Sequence, residues 1–141
     1  MPDDRHPVLH RLSLRVYYED TDFSGAVYHA SYLRFFERAR TEWLRGIGFD
    51  QRTAFAAIPP VSFVVKRLSI DYLRPAHMDD VIGVETSLIE ARGASLVLAQ
   101  HGLRGEEMLV EARVTVVSLS GGRPVRLPRP ILRALHARMA K

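Results

Sequence analysis

The stretch Tyr28-His29-Ala30-Ser31-Tyr32-Leu33-Arg34-Phe35-Phe36-Glu37-Arg38-Ala39-Arg40-Thr41-Glu42-Trp43-Leu44-Arg45-Gly46 decides how the rest of the chain is read. Tyr32, Phe36, Ala39, Trp43 and Ile47 recur at helical spacing, which predicts one long helix from about 28 to 46 with a single buried face. Gly46 and Gly48 supply its stop signal. On both sides the period falls to two. Before the helix, Leu12, Leu14 and Val16 alternate with Ser13 and Arg15, a strand from about 10 to 18. After it, a connecting segment ends at Pro59-Pro60 and four strands are expected. They cover about 61–73, 81–90, 95–103 and 107–119, and the phase of the first slips near Val64-Val65 as at a bulge. Gly121-Gly122 and three prolines then lead to a short helix at about 130–140.

No helices separate the later strands, so a doubly wound parallel sheet is excluded. Strands joined by short turns, with one amphipathic helix to cover a face, make an antiparallel α+β layer. The 141 residues hold no repeat and no linker, so one domain over 1–141 is expected. Hydrophobic residues at 47% and charged ones at 26% exclude a disordered or collagen-like chain. Cysteine is absent, which excludes disulfides, thiolate metal sites and a cysteine nucleophile and suits a reducing compartment. No apolar run nears the roughly 20 residues that cross a bilayer. Met1 to His6 carries acids and no apolar segment, and the expected location is cytoplasmic. The net charge of +4 suits a polyanionic partner, whether nucleic acid, anionic lipid or a phosphate-rich cofactor. It equally suits a solvated surface. The basic residues are scattered and form no nucleic-acid motif, so nucleic acid is not expected.

Chemistry concentrates in Tyr17-Tyr18-Glu19-Asp20-Thr21-Asp22-Phe23-Ser24-Gly25-Ala26-Val27-Tyr28-His29. Carboxylates precede the helix, Gly25 lets the backbone turn closely, and aromatic residues with His29 open the helix. A helix start exposes unpaired N–H groups with partial positive charge, which can stabilise an oxyanion. A carboxylate beside them can attack a carbonyl or activate water. Asp20 and Asp22 suit helix capping equally well. Asp-Thr-Asp is too small a set to hold a metal. There is no Gly-x-Ser-x-Gly elbow and no phosphate-binding glycine loop.

Tyr18-Glu19-Asp20-Thr21-Asp22 followed by Gly25-Ala26-Val27-Tyr28-His29-Ala30-Ser31-Tyr32-Leu33 closely resembles the signature of hotdog-fold acyl-CoA thioesterases. The resemblance is to the 4-hydroxybenzoyl-CoA thioesterase family, in its YbgC-like branch. It continues through Phe36-Glu37-Arg38-Ala39-Arg40-Thr41-Glu42, Phe63-Val64-Val65, Asp71-Tyr72-Leu73-Arg74-Pro75-Ala76, Asp79-Asp80 and Arg92-Gly93-Ala94-Ser95.

The resemblance implies a hotdog fold, an antiparallel sheet wrapped around the long helix. It implies hydrolysis of an acyl-CoA to a free acid and coenzyme A. The family's catalytic carboxylate falls on Asp22, as base or nucleophile, and its carbonyl-polarising N–H on His29. The side chains of Tyr18 and His29 take part as well. Gly25, Val27, Tyr28, Lys66, Arg92 and Ser95 are the expected substrate contacts. Arg92 to Ser95 matches a segment that meets the nucleotide end of coenzyme A, often from the neighbouring subunit. No resident cofactor or metal is implied, since coenzyme A belongs to the substrate. A homo-oligomer is expected, a dimer or a dimer of dimers. Acyl carrier protein is an alternative thioester donor, and an interaction role in envelope or phospholipid-synthesis machinery an alternative function. Phe23 and Ser24 depart from the family pattern. The last helix, with Ile131, Leu132, Leu135 and Met139 against Arg133, Arg138 and Lys141, is expected to pack on protein rather than on a membrane.

Overall fold

The computed structural model describes residues 6–139. The readings made at Met1 to Arg5 and at Ala140 and Lys141 lie outside these residues. In chain order the elements are β1 (Val8–Arg15), α1 (Ser31–Gly46), α2 (Gln51–Ala56), β2 (Ser62–Tyr72), β3 (Val81–Arg92), β4 (Ser95–Arg104), β5 (Glu107–Ser120), β6 (Arg123–Pro124) and α3 (Arg129–Met139). All strand pairs are antiparallel, in the order β1-β3-β4-β5-β2, with β6 on β5. The sheet wraps α1, the α+β hotdog arrangement.

Alternation explains the sheet. In β4, Leu96, Leu98 and Gln100 are buried with part-exposed neighbours between them, and in β3 Ile82, Val84, Thr86 and Leu88 turn inward. The first half of α1 packs Tyr32, Phe35, Phe36 and Ala39 against Val16, Ile82, Val84 and Val110. Its second half gives Trp43 and Leu44 to a second cluster, which Leu127, Ile131 and Leu135 close from the C-terminal segment. Thus α3 packs on its own chain, and burying Ile131 and Leu135 contributes about 1.5–3 kcal/mol each. The amide of Gln100 stays inside because both its nitrogen and its oxygen have partners. It donates to the Phe36 carbonyl and to Thr86 Oγ1, both at 3.0 Å, and accepts from Arg40 at 2.9 Å.

Several boundaries differ from the sequence reading. The first strand ends at Arg15, because Val16 turns inward to exchange backbone hydrogen bonds with Asp79 and Asp80. The long helix starts at Ser31 rather than near Tyr28. The segment read as a connection holds the short helix α2, whose N-cap Asp50 accepts from Arg52 N–H at 3.0 Å and Thr53 Oγ1 at 2.8 Å. The bulge in β2 falls between Val65 and Arg67, at Lys66. Among the described residues no helix is long and apolar enough to cross a membrane.

β2 is an edge strand. It pairs with β5 on one side only, and it leaves Val64, Val65, Leu68 and Tyr72 exposed.

Candidate active site

The loop from β1 to α1 is built around Asp20. This residue lies in a single 3-10 turn, Tyr18–Asp20, and is 5% exposed. Its carboxylate accepts from the Tyr17 N–H at 2.8 Å and from Arg34 at 3.1 Å. Its carbonyl accepts from the Tyr28 N–H at 2.9 Å and from Ser31 Oγ at 3.1 Å. Asp20 therefore clasps the two ends of the loop together and is not the helix cap. That position belongs to Ala30, which has no side-chain acceptor, and Asp22 is eight residues further back in the chain.

Between the clasped ends the chain forms a small closed loop. Thr21 bridges Val27, the Asp22 N–H donates to Ala26 at 2.8 Å, and the Gly25 N–H donates to the Asp22 carbonyl at 3.1 Å. Gly25 has φ +89°, which an L side chain rarely adopts. The loop is anchored below by Val27, whose N–H donates to the Ala76 carbonyl at 2.8 Å.

At its tip stands Asp22, exposed to solvent. Its Oδ1 accepts both the Ser24 N–H at 2.8 Å and the Ser24 hydroxyl at 2.5 Å. These bonds, the hydroxyl first, hold the carboxyl below its ordinary pKa, so it is ionised at neutral pH. Its Oδ2 has no hydrogen bond among the described residues. Seven residues later, the His29 N–H likewise meets no acceptor among the described residues. His29 lies in the turn before α1, not within the first helical turn, so its N–H is freed by the turn itself rather than by a helix terminus. Its carbonyl accepts the Tyr72 hydroxyl at 2.9 Å. Tyr18, 81% exposed, keeps its phenol at the surface of the same loop.

The remaining expected residues divide sharply. Tyr28 belongs to the loop and sets its ring 4.4 Å from the imidazole of His29. Val27 is 7% exposed and packs into the core, so its side chain fills the interior instead of facing a ligand. Lys66 projects from the β2 bulge. Arg92 and Ser95 face each other across the β3–β4 turn. That turn is at the far end of β3 from the loop, about 36 Å away along the strand. One chain therefore does not bring Arg92 and Ser95 to Asp22. Phe23 is fully exposed beside Asp22, whereas Tyr32 and Phe36 are core residues.

Two concave regions lie elsewhere. A groove of about 690 Å³ crosses the outer sheet face, lined by polar and charged residues including Arg11, Asp71, Glu85, His101, Glu111 and Arg113. A smaller one, about 260 Å³, lies between α1, α2, β2 and α3, lined by Trp43, Phe63, Val65 and Leu98 among others. Asp22 borders neither. Among the described residues no three acidic or histidine side chains converge as a metal site would require.

Sequence reasoning missed three contacts that shape this loop: Ser24 on Asp22, Tyr72 on His29 and the Asp20–Arg34 pair. An acid two residues before a serine is an Asx-turn signal and would have found the first. Nothing local links Tyr72 to His29, or Arg34 to Asp20.

Comparison with known proteins settles the family. The sequence model of the thioesterase-like superfamily matches residues 16–135. The chain belongs to that superfamily. The acyl-CoA thioesterase YbgC of Haemophilus influenzae is 47% identical over 125 residues, covering 87% of this chain and 91% of that protein. Among solved structures, a probable thioesterase from Bartonella henselae superposes with TM-score 0.81 at 42% identity, covering 84% of this chain and 98% of that one. A thioesterase from Thermus thermophilus, complexed with coenzyme A and Zn, superposes with TM-score 0.80 at 28% identity over 99% of this chain and 98% of its own. This thioesterase-superfamily chain thus shares nearly its whole length with YbgC proteins, the loop of Asp22 and His29 included.

Proposed function

We propose that the protein is an acyl-CoA thioesterase in which Asp22 supplies the reacting carboxylate and the His29 N–H the oxyanion contact. The observation that carries this reading is the loop itself. An ionised carboxylate with one oxygen held by Ser24 and the other open shares a clasped loop with an unpaired N–H. A thioester carbonyl is activated enough for that pair to suffice without a metal or resident cofactor. As a base, Asp22 takes a proton from water while the water oxygen adds to the thioester carbon. As a nucleophile, it adds directly and forms a mixed anhydride that water then hydrolyses. In either route the carbonyl oxygen gains charge toward the His29 N–H, the C–S bond breaks, and coenzyme A leaves as a thiolate that takes up a proton. Tyr18 and the His29 imidazole stand on the same loop to orient water and assist proton transfer.

The reading includes a second copy of the chain. Asp22 and His29 lie on an open surface, and Arg92 and Ser95 lie a strand's length from them within one chain. An edge strand with apolar side chains exposed offers a pairing surface that would place one copy's β3–β4 turn near the other's loop. The proposed setting is the cytoplasm.

The test is thiol release from a panel of acyl-CoAs, short aliphatic to long-chain and aromatic, with the same acyl groups on acyl carrier protein as a parallel arm. Asp22→Asn lowers turnover by at least about two orders of magnitude while the protein stays folded. Near-normal turnover in the folded variant refutes the assignment, and faster turnover on the carrier protein changes the substrate class.

A further inference from the structure

Tyr72 ends the edge strand β2, 43 residues from His29 in sequence, yet its hydroxyl donates to the His29 carbonyl at 2.9 Å. The same ring stands edge-on to the imidazole, with centroids 6.2 Å apart and planes at 82°. On its other side it packs against Tyr32 at 5.7 Å, and Tyr32 is a core residue fixed in the first turn of α1. Partial burial raises the Tyr72 phenol above its ordinary pKa, so it keeps the proton it donates.

His29 needs such an anchor. It precedes α1, where no helical ladder orients its peptides, and the local bonds join its neighbours: Tyr28 N–H and Ser31 Oγ to the Asp20 carbonyl, Ser31 N–H to Tyr28 and Leu33 N–H to Ala30. None of them touches the His29 peptide groups themselves. We propose that Tyr72 is a positioning residue for the thioester reaction: its hydroxyl fixes the turn at His29 so that the N–H and imidazole are aimed together at the substrate carbonyl. This rests on the reading of Asp22 and His29 given above. It also makes the site depend on the strand that carries the exposed edge, so the strand end and the catalytic loop form one mechanical unit.

Tyr72→Phe removes the hydroxyl and keeps the ring against His29 and Tyr32. The expected result is a fall in kcat of about tenfold, the order for one oriented hydrogen bond, with KM for acyl-CoA changed by less than about twofold. In the unliganded protein, the NMR resonances of the His29 and Ala30 amides and of the His29 imidazole shift, while the thermal midpoint moves little. Unchanged kcat, or a loss confined to KM or to stability, overturns the inference. The two readings fail separately. If Asp22→Asn remains active the catalytic assignment falls, and unmoved His29 resonances in Tyr72→Phe dismiss the hold of Tyr72 whatever Asp22 does.

Discussion

Ser24 places two hydrogen bonds on one oxygen of Asp22 and none on the other, which divides the carboxylate into a held oxygen and an open one. The hydroxyl is the larger cause of the lowered pKa, ahead of the backbone N–H. In the proposed mechanism the ionised carboxylate is the reacting form, so activity is expected above its folded pKa and is lost as pH falls through it, with the acid limb of the native chain on the low side of an ordinary carboxylate. Ser24→Ala keeps the N–H and removes the hydroxyl, and the acid limb of kcat/KM moves to higher pH. Ser24→Thr, which retains a hydroxyl, restores it. A pH–rate profile from about pH 3 to 8 reads both. An unmoved limb in Ser24→Ala shows that the hydroxyl does not set it. The candidate cluster from Tyr17 to His29 was legible in sequence because carboxylates, a glycine and aromatic residues crowd ahead of the helix, while the choice of Asp22, His29 and Tyr18 within it came from the family resemblance. Tyr72 and Arg34 were not legible, since their parts depend on a strand and a helix turn arriving beside that loop.

At the scale of the element, β4 crosses the centre of the sheet, and at Gly102 its neighbours close in on the backbone. A Cβ there would stand 2.7 Å from Val110 Cγ1 and 3.6 Å from Ile82 Cγ2. A β-branched valine held between strands has no long side chain to swing aside. Gly102→Ala therefore destabilises the fold by about 1–3 kcal/mol, read as a lower midpoint in urea unfolding. A midpoint equal to the native one would mean that the strands part more easily than their register indicates. Element types were readable because a period of about 3.6 in α1 and a period of two in the strands come from side-chain geometry alone. Ends were less so. Helix α1 starts at Ser31 because the bonds from Tyr28 and Ser31 to the Asp20 carbonyl hold the preceding residues in a turn. Helix α2 is only six residues long, too short for a stripe, and depends on its Asp50 cap.

For the whole molecule, the exposed edge is the feature that asks for a partner. β2 runs from Ser62 to Tyr72 with one side unpaired, and Val64, Val65 and Leu68 are exposed along it. Unpaired strand edges of this length invite a further strand. With the proposed second copy there, Leu68→Glu would place a charge in the apolar seam and weaken association. Sedimentation at micromolar concentration is expected to show the native protein as a dimer or larger, and Leu68→Glu shifted toward monomer with lower activity. A native protein that sediments as an active monomer removes the second copy from the site.

Local patterning alone determined that one long helix and a run of antiparallel strands would form, that α1 would bury Tyr32, Phe36, Ala39 and Trp43, and that the candidate chemical groups crowd between Tyr18 and His29. These depend on side-chain period and near neighbours, which a linear string contains. Tertiary structure alone decided that Asp20 faces inward onto Arg34, that Val27 is core, that Arg92 lies a strand's length from Asp22, and that Tyr72 holds the turn at His29. Each of those depends on which elements meet in space, and that is set by the strand order and by the wrap of the sheet around α1.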